Sequence, residues 1–357
     1  MGSTSDYYQT GTEIVVGGGT VSPVKVYATQ GDPGEELKNV KSVSAGSYHS
    51  CAILLDGSVH CWGGNMYGGL GNGESGFFSY YVPVAVPLVS SVKEVALGDW
   101  HTCALQDDGE VYCWGYNNRG QLGIGDDVVE NFNPTPTKVS GLTDEVKKVI
   151  SITAGHQHTC ALFDNGTVKC WGGDTDGALA DSDNDDTDKY SPVYVLGMGS
   201  VESFSAGENF TCVLLTLDDQ RAYCWGANDR GQLGNGGDPF GQIEGLDNAV
   251  SLDTGQSHAC ALLNGGTLMC WGSDNYGQTG DAGVQGQTEF DLSPVSVLNI
   301  EGVEQVTTGK IHSCALLLSG DVQCWGHDLE GQLGDGNGEG FALNKLVPSV
   351  PIVFVAD

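Results

Sequence analysis

Basic residues are scarce in this chain. Its 357 residues hold 14 Lys plus Arg against 46 Asp plus Glu, a net charge of −32. Double-stranded nucleic acid draws proteins through clustered Lys and Arg, so a field of this sign repels it. Also missing is any apolar run near the eighteen residues that a membrane-spanning helix needs. No Gly-x-Ser-x-Gly elbow, His-Glu-x-x-His pair or phosphate loop occurs, which makes an enzyme the least favoured class. No secretory signal is legible either: Met1-Gly2-Ser3-Thr4-Ser5 reads as an appended or mature start. Finally, no cysteine is left over, so none stands free as a nucleophile.

What is present is repetition. The twelve cysteines fall into six pairs: Cys51 with Cys61, Cys103 with Cys113, Cys160 with Cys170, Cys212 with Cys224, Cys260 with Cys270, and Cys314 with Cys324. Each pair sits in a copy of one phrase, Gly-x-x-His-x-Cys-Ala-Leu, a turn, then Cys-Trp-Gly, with Phe210 replacing the histidine in the fourth copy. Successive first cysteines lie 52, 57, 52, 48 and 54 residues apart. Strand-bearing repeats of this period are the sign of a propeller or related array.

The hairpin register follows from the turn. If Cys51 faces Cys61, the loop is Leu55-Asp56-Gly57, a three-residue connection closed by a glycine bulge. Gly109, Gly166, Gly266 and Gly320 take the same place, and a loop from Thr216 to Gln220 keeps Cys212 facing Cys224. Opposed strand positions lie near disulfide reach. Zinc pairs normally leave two to four residues between cysteines, whereas nine or more intervene here, so the spacing predicts six intra-hairpin disulfides. These demand an oxidising compartment, with a signal already removed.

After most copies comes Gly-Gln-Leu-Gly or a near match (Gly68 to Gly71, Gly120 to Gly123, Gly231 to Gly234, Gly277 to Gly280, Gly331 to Gly334), and in several a Pro-Val-x-Val strand follows. Four short strands per unit make a blade. These phrases together resemble the repeats of the regulator of chromosome condensation family over residues 40–340. The resemblance implies an all-β propeller, commonly of seven blades. The chain carries six full units, so a degenerate terminal blade is expected to complete seven, with six blades as the alternative. Glu13 to Gly17, Pro23 to Val26 and Val350 to Val355 would supply it. Residues 1–12 read as a disordered or appended tail and 13–357 as a single propeller domain. Nucleotide exchange on a nuclear GTPase at chromatin, the role best known for that family, conflicts with both the disulfides and the charge.

Three groups of residues are candidates for function. The repeated histidines His49, His101, His158, His258 and His312 read as structural, each bonded to backbone within its own blade, and the Trp-Gly tryptophans as wedges between blades. Asp181, Asp183 and Asp185 alternate in an acidic segment that fits a hard cation, although the glycine and glutamate of an EF-hand are absent. No cofactor is required; calcium is the one this segment points to. The two residues between Gly and His differ in every unit, from Ser47-Tyr48 and Asp99-Trp100 to Lys310-Ile311. With the loops after Trp-Gly they gather Tyr48, Tyr67, Phe77, Phe78, Tyr80, Tyr81, Trp100, Tyr116 and Phe132 on one face, and recognition surfaces are enriched in such rings. The expectation is a secreted or cell-surface binding module for an extracellular protein or glycan, the alternative being a calcium-dependent component of an extracellular layer.

Overall fold

In five of the six repeats a glycine in the turn lets a short hairpin close, and a disulfide hairpin stands at the centre of every blade. In the computed structural model, which describes residues 37–125, 131–142, 147–181, 186–195, 197, 199–216, 221–237, 242–283, 290–328, 332–333 and 344–348, Gly57 adopts φ 78° and its N–H donates to Leu54 O at 2.9 Å. Cys51 then pairs with Cys61 across the hairpin. The register matches Cys103 to Cys113, Cys160 to Cys170 and Cys212 to Cys224 in the same way. Cys260 stands opposite Cys270, and Cys314 opposite Cys324. All six pairs are bridged as the spacing predicts, each at a Cα separation of 4.1 Å.

A strand on either side of the hairpin completes an antiparallel sheet in sequence order. Blade 1 comprises Val40–Ala45, His49–Leu54, Val59–Gly64 and Ser79–Ala85; blade 2 comprises Val92–Leu97, His101–Gln106, Val111–Tyr116 and Phe132–Lys138. Blade 3 runs through Val149–Ala154, His158–Phe163, Val168–Gly172 and Lys189–Tyr194, and blade 5 through Ala249–Thr254, His258–Leu263, Thr267–Ser273 and Phe290–Ser296. Blades 4 (Val201–Ala206, Phe210–Leu215, Ala222–Gly226) and 6 (Val303–Thr308, His312–Leu317, Val322–Gly326) show three strands each among the described residues. Single bridges, Ala222 to Ile243 and Gly326 to Lys345, stand where their outer strands would pair.

The expected seventh blade is corrected to six. All 22 described strands belong to six sheets, one for each disulfide hairpin. The segments assigned to the extra blade, Glu13 to Gly17, Pro23 to Val26 and Val350 to Val355, lie outside the described residues, as does the proposed tail.

Among the described residues no single central core forms. Apolar side chains collect in wedges between successive blades, as in the cluster of Ile53, Val59, Leu70 and Val86 from blade 1 with Val95, Ala104 and Trp114 from blade 2. Equivalent wedges join blades 2–3, 3–4, 4–5 and 5–6. Each is pinned by a tryptophan. Trp114, Trp171, Trp225, Trp271 and Trp325 donate Nε1–H at 2.8–3.0 Å to a carbonyl of the preceding blade, that of Gly69, Gln121, Ala178, Gln232 and Gln278 respectively. A buried Trp with its N–H paired combines large apolar area with a directional bond, and truncation costs ~3–5 kcal/mol.

The histidines also bridge blades, which corrects the expectation that each bonds backbone inside its own blade. His49, His101, His158 and His258 place Nε2 2.6–2.9 Å from the hydroxyls of Thr102, Thr159, Thr211 and Ser313 in the next blade. Thr102, Thr159 and Ser313 donate their own protons to the carbonyls of Gly69, Gln121 and Gln278. Their oxygens are left to accept, so Nε2 carries the histidine proton. At the inner ends, a methyl on Gly155 would overlap the Gly207 carbonyl oxygen, and glycine is what lets neighbouring blades close around the axis.

Candidate functional site

Both variable residues of each Gly-x-x-His turn are held rigidly, because the turn is closed at each end. Gly46 N–H bonds His49 O at 2.9 Å and Gly98 N–H bonds His101 O at 3.0 Å. The residue following Trp-Gly then donates back to the second variable residue: Gly64 N–H to Tyr48 O at 2.8 Å, Tyr116 N–H to Trp100 O at 2.9 Å. Two loops per blade therefore share one face, as the sequence predicts.

The first variable residue points inward. Ser47, Asp99, His156, Glu208, Gln256 and Lys310 line one axial cavity of about 370 Å³ together with the innermost strands. Three of them form a charged chain across blades 2, 3 and 4. His156 Nε2 lies 2.8 Å from Asp99 Oδ2 and its Nδ1 lies 3.2 Å from Glu208 Oε1. Ser47 donates its hydroxyl to the other oxygen of Asp99. Hydrogen bonds to Asp99 and then Glu208 push the His156 pKa up to about 9, against the effect of burial. Burial works to raise Asp99, but hydrogen bonds from His156 and Ser47 outweigh it and leave the carboxyl below its ordinary value. The bond from His156 likewise lowers Glu208.

Serine, aspartate and histidine side by side invite comparison with a nucleophilic triad, and the wiring differs. Here serine bonds the aspartate rather than the imidazole, and both imidazole nitrogens donate to carboxylates. A doubly protonated ring has no lone pair with which to take a proton from serine. This arrangement is an electrostatic staple. Sequence reasoning left these positions as merely variable; the available signal was Asp99, His156 and Glu208, charges of alternating sign at one repeat position in three consecutive units.

In the first two blades the second variable residue, Tyr48 or Trp100, is at least partly exposed, and here the aromatics meet. Tyr48 stacks on Trp100 with centroids 3.9 Å apart and planes at 10°. Tyr67 meets Trp100 edge-on at 5.7 Å, stacks on Tyr116 at 4.1 Å and reaches Phe132 at 6.4 Å. Tyr48 is 41% exposed, and the four other rings are half-buried. The remaining candidates form a separate group: Phe78 meets Tyr80 edge-on at 5.7 Å, Tyr80 donates to Glu74, and Phe77 and Tyr81 project at 90% and 78% exposure. Among the described residues no ring contact joins this second group to the first. Of the acidic segment, Asp183 and Asp185 lie outside the described residues, while Asp181 pairs with Lys189 at 3.1 Å.

An RCC1-like domain model matches residues 81–355, and models of the regulator of chromosome condensation (RCC1) repeat match residues 56–105 and 40–68. The chain belongs to the RCC1 family. It is 29% identical to the ultraviolet-B receptor UVR8 of Arabidopsis thaliana over 341 residues, covering 93% of this chain and 73% of UVR8. It is also 29% identical to the human E3 ubiquitin-protein ligase HERC2 over 335 residues, which is 89% of this chain but only 7% of HERC2. Among solved structures it is similar to Prp20p of Saccharomyces cerevisiae, studied with its binding to Gsp1p and histones: TM-score 0.76 and 25% identity over 88% of this chain and 77% of Prp20p.

Proposed function

We propose that this RCC1-family propeller is a protein-binding module of an oxidising, extracellular setting, and that its recognition surface is the ladder Tyr48–Trp100–Tyr67–Tyr116. The observation that carries this reading is the ladder itself, a contiguous and partly exposed run of rings on turns whose backbone is locked from both sides. Preordered aromatic anchors lose little entropy on binding, which is why hot spots are rich in Trp and Tyr. Support comes also from the relatives: Prp20p is described by what it binds, and UVR8 is a receptor. Six disulfides fit an oxidising compartment, and the surplus of carboxylates fits a partner with a basic segment. The wiring of the axial His156 favours a binder over an enzyme.

A pull-down from extracellular fluid, run side by side with wild-type, Trp100→Ala and Tyr48→Ala baits, tests the assignment. Retention of a specific protein by the wild type, weakened about tenfold or more by either substitution, is the expected result. A captured set indifferent to both substitutions overturns the ladder as the binding surface.

A further inference from the structure

Blade 5 gathers three carboxylates that the ladder does not use. Asp274, Asp281 and Asp291 each present an oxygen atom, and these atoms lie within 4.8 Å of one another. Part of this is ordinary architecture. Asp274 accepts the Thr279 N–H at 3.0 Å, as Asn65, Asn117, Asp174, Asn228 and Asp328 accept the matching N–H in their own blades. Neutral asparagine performs that cap in blades 1, 2 and 4, so the cap accounts for an oxygen at position 274 but not for a charge. It accounts for neither Asp281 nor Asp291.

Two buried atoms here lack partners. Asp291 Oδ2 makes no hydrogen bond, and neither does the hydroxyl of Thr279, a side chain with no exposed surface. That hydroxyl is turned toward the carboxyls of Asp274 and Asp291 without reaching hydrogen-bond geometry with either. Buried polar atoms are paired as a rule, and adjacent carboxylates repel one another, so this pocket calls for a positive charge.

Blade 3 shows what fills the same place. Asp174 and Asp181 stand at the repeat positions of Asp274 and Asp281. Lys189 pairs with Gly172 in the strand register, as Asp291 pairs with Gly272. The Lys189 ammonium sits 3.1 Å from Asp181 Oδ2. The fold thus supplies a cation from its own chain in blade 3, and in blade 5 a third carboxylate replaces it.

We propose that Asp274, Asp281 and Asp291, with the Thr279 hydroxyl, bind a hard divalent cation in blade 5. An all-oxygen donor set selects calcium or magnesium over zinc or copper, which prefer nitrogen and sulfur. The cation takes the place that the ammonium of Lys189 fills in blade 3. Gly283 keeps the approach open: a Cβ there would come within 3.0 Å of both Asp274 Oδ2 and Asp281 Oδ1.

Calorimetric titration of the chelator-stripped whole chain with CaCl2, and separately with MgCl2, tests this against Asp291→Lys and Asp291→Asn. The wild type is expected to bind at least one equivalent that both variants lose, and the more tightly held ion identifies the natural one. At about 100 times Kd the cation should raise the wild-type Tm by about 4 °C, a rise absent in Asp291→Lys. In chelator, Asp291→Lys should melt above the wild type, because it carries the charge in its own chain. Should the lysine variant not fold, the asparagine variant carries the comparison alone. No heat with either salt, or the same number of equivalents in the variants as in the wild type, overturns the site.

Discussion

The bond between a histidine and the hydroxyl of the next blade is buried, which makes it a pH-sensitive joint. Burial, the largest cause in each case, lowers the pKa of His49, His158 and His312 to about 4 and of His101 and His258 to about 3. Each group therefore binds a proton in the unfolded chain from about pH 6.5 but resists it when folded. Stability is full above that pH and falls as the pH drops toward 4. Blade 4 shows how to dispense with the joint: Phe210 replaces the histidine, and Ala259 replaces the hydroxyl residue it would meet. Copying that exchange as His101→Phe with Thr159→Ala should reduce the acid-induced loss by on the order of 2–3 kcal/mol between pH 6.5 and 4, measured by urea unfolding. An unchanged slope would refute the attribution. His156 predicts the reverse dependence. Its pKa of about 9 is raised, so its contribution is complete below pH 6.5 and disappears as the pH rises through 9. Its side chain is 32% exposed, and screening reduces the expected loss to about 1–2 kcal/mol. In His156→Gln the melting temperature should be flat across that alkaline window.

At the level of the element, the disulfide hairpin was fully legible because everything that sets it is local. Asp-Gly fixes the loop, the loop fixes the register, and the register places cysteine against cysteine. Each bridge closes about eleven residues, worth about 2.7 kcal/mol in the chain-entropy model. Replacing Cys103 and Cys113 together by alanine should cost no more than that in a denaturant titration, because Trp114 and Thr102 still bind the hairpin to Gly69 of blade 1. A loss well beyond it would mean that the bridge also holds the wedge. Non-reducing peptide mapping should recover Cys51–Cys61 and its five counterparts, and links between blades would contradict the register. What the sequence did not disclose were contacts reaching fifty residues away. Nothing near His101 names Thr159 as its partner, although the paired exchange of Phe210 and Ala259 was there to be read. The seven-blade expectation came from the family resemblance, and local pattern was used only to find segments for the extra blade. Glu13 to Gly17 and Val350 to Val355 resemble strands by local pattern, and local pattern says nothing about which sheet a strand joins. In the proposed recognition face, the rings were legible as a set because the repeats isolate the variable positions. That Tyr48, Tyr67, Trp100 and Tyr116 join while Phe77 and Tyr81 stand apart is a matter of loop packing, which composition does not encode.

For the whole molecule the governing quantity is charge. A net −32 makes the folded ring repel itself, and compaction brings those carboxylates closer than they lie in the unfolded chain. Opposing this are ion pairs that salt would weaken, such as Arg119 with Asp188 at 3.2 Å and Lys138 with Glu110. Exposed pairs contribute ~0–1 kcal/mol each, and with only 14 Lys plus Arg they are too few to dominate. Raising NaCl from 0.01 M to 1 M shortens the screening length from about 30 Å to about 3 Å, which removes the long-range repulsion while sparing buried contacts. Melting temperature should therefore rise with salt, in contrast to a protein held together by surface ion pairs. The measurement belongs in chelator, so that any cation bound in blade 5 does not contribute. The same field has the opposite effect on association: the proposed basic partner would be steered toward the ring, so its on-rate should fall as salt is added while its off-rate, set by the proposed aromatic ladder, should change little. Stability that rises and an on-rate that falls over one salt series would both be consequences of the surplus carboxylates. A melting temperature that falls with NaCl would show instead that local pairs outweigh the net charge.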